Sequence, residues 1–86
     1  MEAAQVSSQL TLIGQRAEEA LMNLERYIGD ADSAGIDRIR IVHGKGSGAL
    51  RRVVQEHLRS NGLVQRFATA DAEEGGAGAT IAYLRS

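Results

Sequence analysis

The apolar residues of this chain switch between two spacings, and that switching limits the architectures open to it. Leu10, Thr11, Leu12 and Ile13 form a short β-favouring run closed by Gly14. From Arg16 the period lengthens. Ala17, Ala20, Leu21, Leu24, Ile28 and Ala31 recur at i, i+3, i+4 and i+7, which places them on one stripe of a helix. Glu18 and Glu19 suit the positive N-terminal end of that helix, and Ser33-Ala34-Gly35 ends it, with Gly35 as a left-handed cap. Residues 36–42 set Ile39 and Ile41 against Arg38 and Arg40, a strand with one basic face. A second helical stripe, Leu50, Val53, Val54, His57 and Leu58, stops at Asn61-Gly62. Residues 63–70 and 79–84 read as two more strands, separated by an acidic, glycine-rich turn at 71–78. The last strand is almost uncharged, which marks it as central.

The order is therefore β-α-β-α-β-β. Strands alternating with helices imply parallel pairing through right-handed crossovers. Two crossovers stepping in the same direction put both helices on one face, and the glycine-rich turn makes the last two strands an antiparallel hairpin. The expected fold is an α/β two-layer sandwich in which the other sheet face is uncovered. Residues 1–9 read as a tail or the start of the first strand, and residues 10–86 as the domain.

Composition removes several function classes. The chain has no cysteine, which excludes disulfide scaffolds, thiolate nucleophiles and Cys-based zinc sites. Two histidines fourteen residues apart do not make a zinc site. The longest apolar runs fall far short of the roughly 20 residues of a membrane helix. The N-terminus opens on Glu2 without the basic region of a signal peptide. These features predict a soluble, cytoplasmic module with no membrane partner. Only Tyr27, Phe67 and Tyr83 are aromatic, so the core is built from Leu, Ile, Val and Ala.

The net charge of −1 hides an uneven distribution. Residues 1–35 carry −4, residues 36–66 carry +5 and residues 67–86 carry −2. A domain with such a middle third can present one basic face to a polyanion.

In parallel β-α units, ligands gather where strands end and helices begin. Here that edge holds residues 13–16 and His43-Gly44-Lys45-Gly46-Ser47-Gly48. Three glycines at alternate positions let a backbone approach a ligand and turn its N–H groups inward. The following helix adds unpaired N–H groups and its positive dipole end. Ser47 is the candidate N-cap, and Lys45, Arg51 and Arg52 add full charges. This combination suits a phosphate. Gly44-x-Gly46-x-x-Ala49 satisfies a relaxed dinucleotide-binding pattern, but residues 62–70 contain no acid to hold a ribose. The Gly-Lys-[Ser/Thr] ending of a nucleotide triphosphatase loop is absent. A polymeric phosphate backbone fits better, because the charge continues into Arg59, Arg38 and Arg40. So few aromatics argue against recognition by base stacking. Beside Lys45, His43 is a candidate general acid or base for phosphodiester cleavage, with a packed histidine bonded to its neighbours as the alternative. His57 continues an apolar stripe and reads as a packed or rim residue.

Leu10-x-Leu12-x-Gly14, His43-Gly44-Lys45-Gly46-Ser47-Gly48-x-Leu50-Arg51 and Gly75-Gly76-x-Gly78-x-Thr80 together resemble the Smr (small MutS-related) domain, most of all the one that ends bacterial MutS proteins of the second type. The resemblance spans roughly residues 10–84. It implies a fold like that of initiation factor three, with sheet order 1-2-4-3 and the last strand antiparallel. It also implies nucleic-acid binding and nicking of DNA without sequence specificity. The parent proteins carry an N-terminal MutS-type ATPase region and act on recombination intermediates, or on ribosomes in some lineages. On this basis His43 and Lys45 are the candidate catalytic residues. Gly44, Lys45, Gly46, Ser47, Gly48, Arg51, Arg16 and Arg52 would hold a DNA (branched or duplex) or RNA backbone. A divalent metal ion is a candidate cofactor for cleavage, with no metal ligands assigned. The family's first motif usually reads Leu-Asp-Leu-[His/Arg]-Gly, and this chain has Thr11 for the acid and Ile13 for the base. A non-cleaving nucleic-acid-binding module is therefore the alternative.

Overall fold

The alternation of periods is realised as β1 (Gln9–Thr11), α1 (Ala17–Ser33), β2 (Arg38–Val42), α2 (Ala49–Ser60), β3 (Val64–Thr69) and β4 (Ala79–Leu84), in a computed structural model that describes residues 6–85. The expected tail before residue 6 lies outside the described residues. Residues 6–8 lead into β1, with Val6 against the core and the Ser8 carbonyl accepting from the Arg40 N–H at 2.9 Å.

The sheet order is β1-β2-β4-β3. Strand β1 runs parallel to β2, pairing Gln9 with Arg40 and Thr11 with Val42. Strand β4 is antiparallel to both neighbours, pairing Arg38 with Tyr83 and Val42 with Ala79 on one side. Its central place follows from its composition: every residue of β4 except Tyr83 is buried. The strands alternate as their pattern requires. Ile39, Ile41, Ala82 and Leu84 meet Ala20, Leu24, Ile28 and Ala31 of α1 and Val54 and Leu58 of α2 in one apolar cluster. Each fully buried Leu or Ile there contributes about 1.5–3 kcal/mol. At the end of α1 the Gly35 and Ile36 N–H groups bond back to Asp32 and Ala31, a Schellman cap centred on the glycine expected there.

Three local details differ from expectation. Strand β1 stops at Thr11, because the Gln15 N–H returns to the Leu12 carbonyl at 3.1 Å and turns Ile13 out to 59% exposure. Ala17 and Leu21 lie on the solvent edge of the α1 stripe. Gly48, not Ser47, is the N-cap of α2. Its φ of +86° delays helix entry by one residue, and Ser47 Oγ accepts from the Ala49 N–H at 3.3 Å instead.

The second face of the sheet, which the sequence pattern leaves uncovered, is covered in part. Residues 71–78 form two single 3₁₀ turns, Ala72–Glu74 and Gly76–Gly78, which fold over one end of it. On that face Ala70, Ala79 and Ile81 form a second buried cluster, with Val42 and Tyr83 packed against it. Glu74 bonds Arg38 at 2.6 Å through its carboxylate and Arg40 at 2.9 Å through its carbonyl. The Arg38 guanidinium holds the Glu74 carboxyl below its ordinary range.

Candidate functional site

Because β1 and β2 are parallel, their carboxyl ends share one sheet edge, where a cleft of about 400 Å³ opens between residues 13–15 and residues 43–50. The glycine-rich loop after β2 forms one wall. Its base is fixed by the 3₁₀ turn that leads into β4, since the Gly78 carbonyl accepts from the N–H groups of both His43 (3.0 Å) and Gly44 (2.9 Å). Gly78 is itself buried, and a Cβ there would sit 3.4 Å from Lys45 Cγ and 3.6 Å from the Gly44 carbonyl carbon. Gly44, Gly46 and Gly48 adopt φ of +84°, +30° and +86°, conformations that side chains disfavour. The resulting path leaves the N–H groups of Lys45, Gly46 and Ser47 without an acceptor among the described residues, while residues 46–47 form a turn that Gly48 closes. They are followed by the first turn of α2, whose N–H groups are also free of intrahelical partners.

His43 is 4% exposed and fully engaged. Its Nδ1 lies 3.0 Å from the Gly44 carbonyl and its Nε2 lies 2.8 Å from Thr80 Oγ1, which also accepts from Gln55 Nε2 at 3.1 Å. With a neutral ring, one proton arrangement satisfies all three contacts. Nδ1–H donates to Gly44, the Thr80 hydroxyl donates to Nε2, and Gln55 donates to Thr80, with the imidazole neutral. Burial first, and the Arg51 charge second, push the His43 pKa below its usual value, against the pull of the Gly44 carbonyl. The unfolded chain therefore takes up this proton first. The stabilisation is complete above the ordinary histidine value near 6.5 and is lost as pH falls from there through the folded value. Urea unfolding at pH 7.5 and 5 is expected to show lower stability at pH 5, and His43→Asn is expected to flatten that dependence. An unchanged slope in the variant would assign the pH effect to another group.

A family model, the Smr domain, matches residues 10–85. The chain belongs to the Smr family. Over 85 residues this Smr domain is 47% identical to endonuclease MutS2 of Lactobacillus johnsonii, and over 82 residues it is 49% identical to endonuclease MutS2 of Geobacillus kaustophilus. Those matches cover 99% and 95% of the chain but only 11% and 10% of the relatives, so the chain spans about a tenth of their length. The crystal structure of the Smr domain of Thermus thermophilus MutS2 superposes with a TM-score of 0.89 at 38% identity, covering 91% of this chain and 98% of that one. YdaL, a stand-alone small MutS-related protein from Escherichia coli, superposes with a TM-score of 0.80 at 29% identity, covering 92% and 65%.

The Smr fold gathers the site residues unevenly. Gly44, Lys45, Gly46, Ser47, Gly48 and His43 line the cleft. Arg51, Arg52 and Arg59 flank a second depression on the exposed side of α2, of about 360 Å³, which shares Ser47 and Gly48 with the cleft. Arg16 is the exposed N-cap of α1 and lines neither. Arg38 and Arg40 point to the opposite sheet face, held by Glu74 and Gln9. The basic middle third is thus divided between two faces, because β2 must turn its isoleucines toward the helices.

Three participants went unassigned in the sequence. Thr80 closes the third motif of the resemblance and is a polar residue in an apolar strand, but neither feature gives it a role. Gln55 carries no signal. Gln15 lines the cleft wall opposite the glycine loop. Its Oε1 accepts from Asn23 Nδ2 at 2.9 Å, and Arg26 holds Asn23 Oδ1 at 3.0 Å. Arginine can only donate, so this chain orients Asn23 and leaves the Gln15 amide donors unused.

Thr11 is exposed between Leu10 and Leu12, which both join the core, so it faces away from the helices and does not line the cleft. The cleft lining contains no carboxylate, and no cluster of three His, Asp or Glu groups occurs among the described residues. Its donor groups suit an anion and do not fit a divalent cation.

Proposed function

We propose that this Smr domain binds the sugar–phosphate backbone of nucleic acid at the glycine-loop cleft. The observation that carries this reading is the run of three N–H groups, Lys45 to Ser47, without acceptors beside the cationic side chains of Lys45, Arg51 and Arg52. Backbone donors in a nest recognise a phosphate oxygen, and the arginines of α2 extend the track toward neighbouring phosphates. The Gln15 amide supplies a donor from the opposite wall, where Ile13 supplies none. Phosphates position a polymer without reading its sequence. Lys45→Ala is therefore expected to weaken duplex binding by about one contact. The log–log salt slope should drop by about 0.9 with no change in preference between sequences, as read by fluorescence anisotropy. Equal slopes for variant and parent would remove Lys45 from the interface.

A second reading, nicking of DNA within a larger MutS-type protein acting in repair or recombination, is favoured by the similarity to proteins named endonuclease MutS2. In it, Lys45 and the loop N–H groups stabilise the negative charge on the non-bridging phosphate oxygens as water adds to phosphorus and one P–O bond to a sugar breaks, the sugar oxygen leaving with a proton. His43 would move the proton only after releasing Thr80, since both ring nitrogens are occupied. Nicking of supercoiled plasmid by the chain, by His43→Ala and by Thr11→Asp separates the readings. Nicking that His43→Ala abolishes favours the enzyme, and binding without nicking favours the module.

A further inference from the structure

We infer that Thr80 and Gln55 are positioning residues for the cleft, holding the His43 ring so that it fixes the direction in which the loop N–H groups point; the inference rests on the phosphate-binding reading above. The argument starts from the peptide between Gly44 and Lys45. Its carbonyl is held by His43 Nδ1. In a planar trans peptide the carbonyl and the following N–H point in opposite directions. Fixing the first therefore aims the second, the unpartnered Lys45 N–H, away from the ring. Three glycines would otherwise leave this stretch many conformations, and a cradle that must be ordered by its ligand binds less tightly than one already in shape.

What fixes the ring is the hydroxyl of Thr80. The side chain is fully buried in an apolar strand. A valine would fill the same space, so the hydroxyl itself is the distinguishing feature. While it donates to Nε2, its oxygen accepts from Gln55 of α2, which holds the hydroxyl in place from the opposite side. The network thus ties together the end of β2, the start of β4 and the helix whose N-terminus completes the cradle. The charged groups near the ring are Arg51 on α2 and Lys45 in the loop, while residues 13–15 across the cleft carry none. No acid faces the imidazole to favour its protonated form.

The test uses the 86-residue chain, with NMR of the His43 ring nitrogens and backbone amides, and with anisotropy of a labelled 20-base-pair duplex. In Thr80→Val the single-tautomer pattern of His43 is expected to be lost. The amide resonances of Lys45 to Gly48 should shift or broaden while those of α1 stay in place, and duplex affinity should fall about tenfold. Thr80→Ser is expected to restore all three. Gln55→Leu, on the partly exposed side of α2, should move them in the same direction and covers the case in which Thr80→Val does not fold. Unmoved amides and an unmoved tautomer in the folded variants would overturn the inference, as would identical behaviour of the serine and valine variants. Absence of duplex binding by the parent chain would instead overturn the phosphate reading, and the ring-and-amide comparison still decides the positioning role.

Discussion

Raising salt from 50 to 200 mM is expected to weaken duplex binding by roughly forty- to five-hundred-fold. The range follows from about 3–5 neutralised phosphates, each lowering the log–log slope by about 0.9, which gives roughly −2.7 to −4.5. The cations available on the cleft side are Lys45, Arg51, Arg52 and Arg59, with Arg51 and Arg59 eight residues apart on α2, a rise of about 12 Å. Arg38 and Arg40 are not counted, because they lie on the other face and are engaged there. Titration of one duplex at four salt concentrations measures the slope. A value near zero would sink backbone recognition, and a slope well beyond −5 would mean that both faces are used.

Gly75→Ala is expected to destabilise the domain by about 2–5 kcal/mol. About 1–2 kcal/mol comes from placing a side chain in the left-handed region, where Gly75 has φ +113°. A further 1–3 kcal/mol or so comes from overpacking. The new methyl would lie 2.9 Å from Cβ of Ala79, which is fully buried. Neither methyl can rotate away, since both are fixed to backbone. For 86 residues the whole stability is about 4–13 kcal/mol, so the loss is a large share of it. Gly76→Ala is the control for strain alone, with φ +52° and open space around the new methyl. Urea midpoints of the two variants decide the matter: if Gly75→Ala costs no more than Gly76→Ala, residues 71–78 do not clasp the sheet as described.

The elements were legible because each carries its own periodicity. The α1 stripe of Ala20, Leu24, Ile28 and Ala31 is buried as spaced, and the uncharged β4 is central. The cleft was legible for a related reason, since parallel strands bring their carboxyl ends together and the glycines mark the loop. Strand order was not legible from the pattern and came only through the family resemblance. The division of the arginines was implicit in the alternation of Arg38, Ile39, Arg40 and Ile41, yet it takes effect only once both helices occupy one face. Long-range polar contacts left no local trace. Thr80 lies 37 residues from His43, and nothing about Gln55 within α2 announces a bond to β4. The acidic turn concealed its role for the same reason, because the partners of Glu74 are 36 and 34 residues away.

The register of the sheet has one more consequence. Gln9 enters beside Arg40 and heads toward the edge that holds the cleft, while Leu84 leaves near the start of β2, beyond the Arg38–Tyr83 pair. Both ends of the described chain therefore emerge at the rear of the molecule. A tether, label or solid support attached at either end leaves the mouth of the cleft clear. A long, stiff polyanion can then lie across it without meeting the attachment.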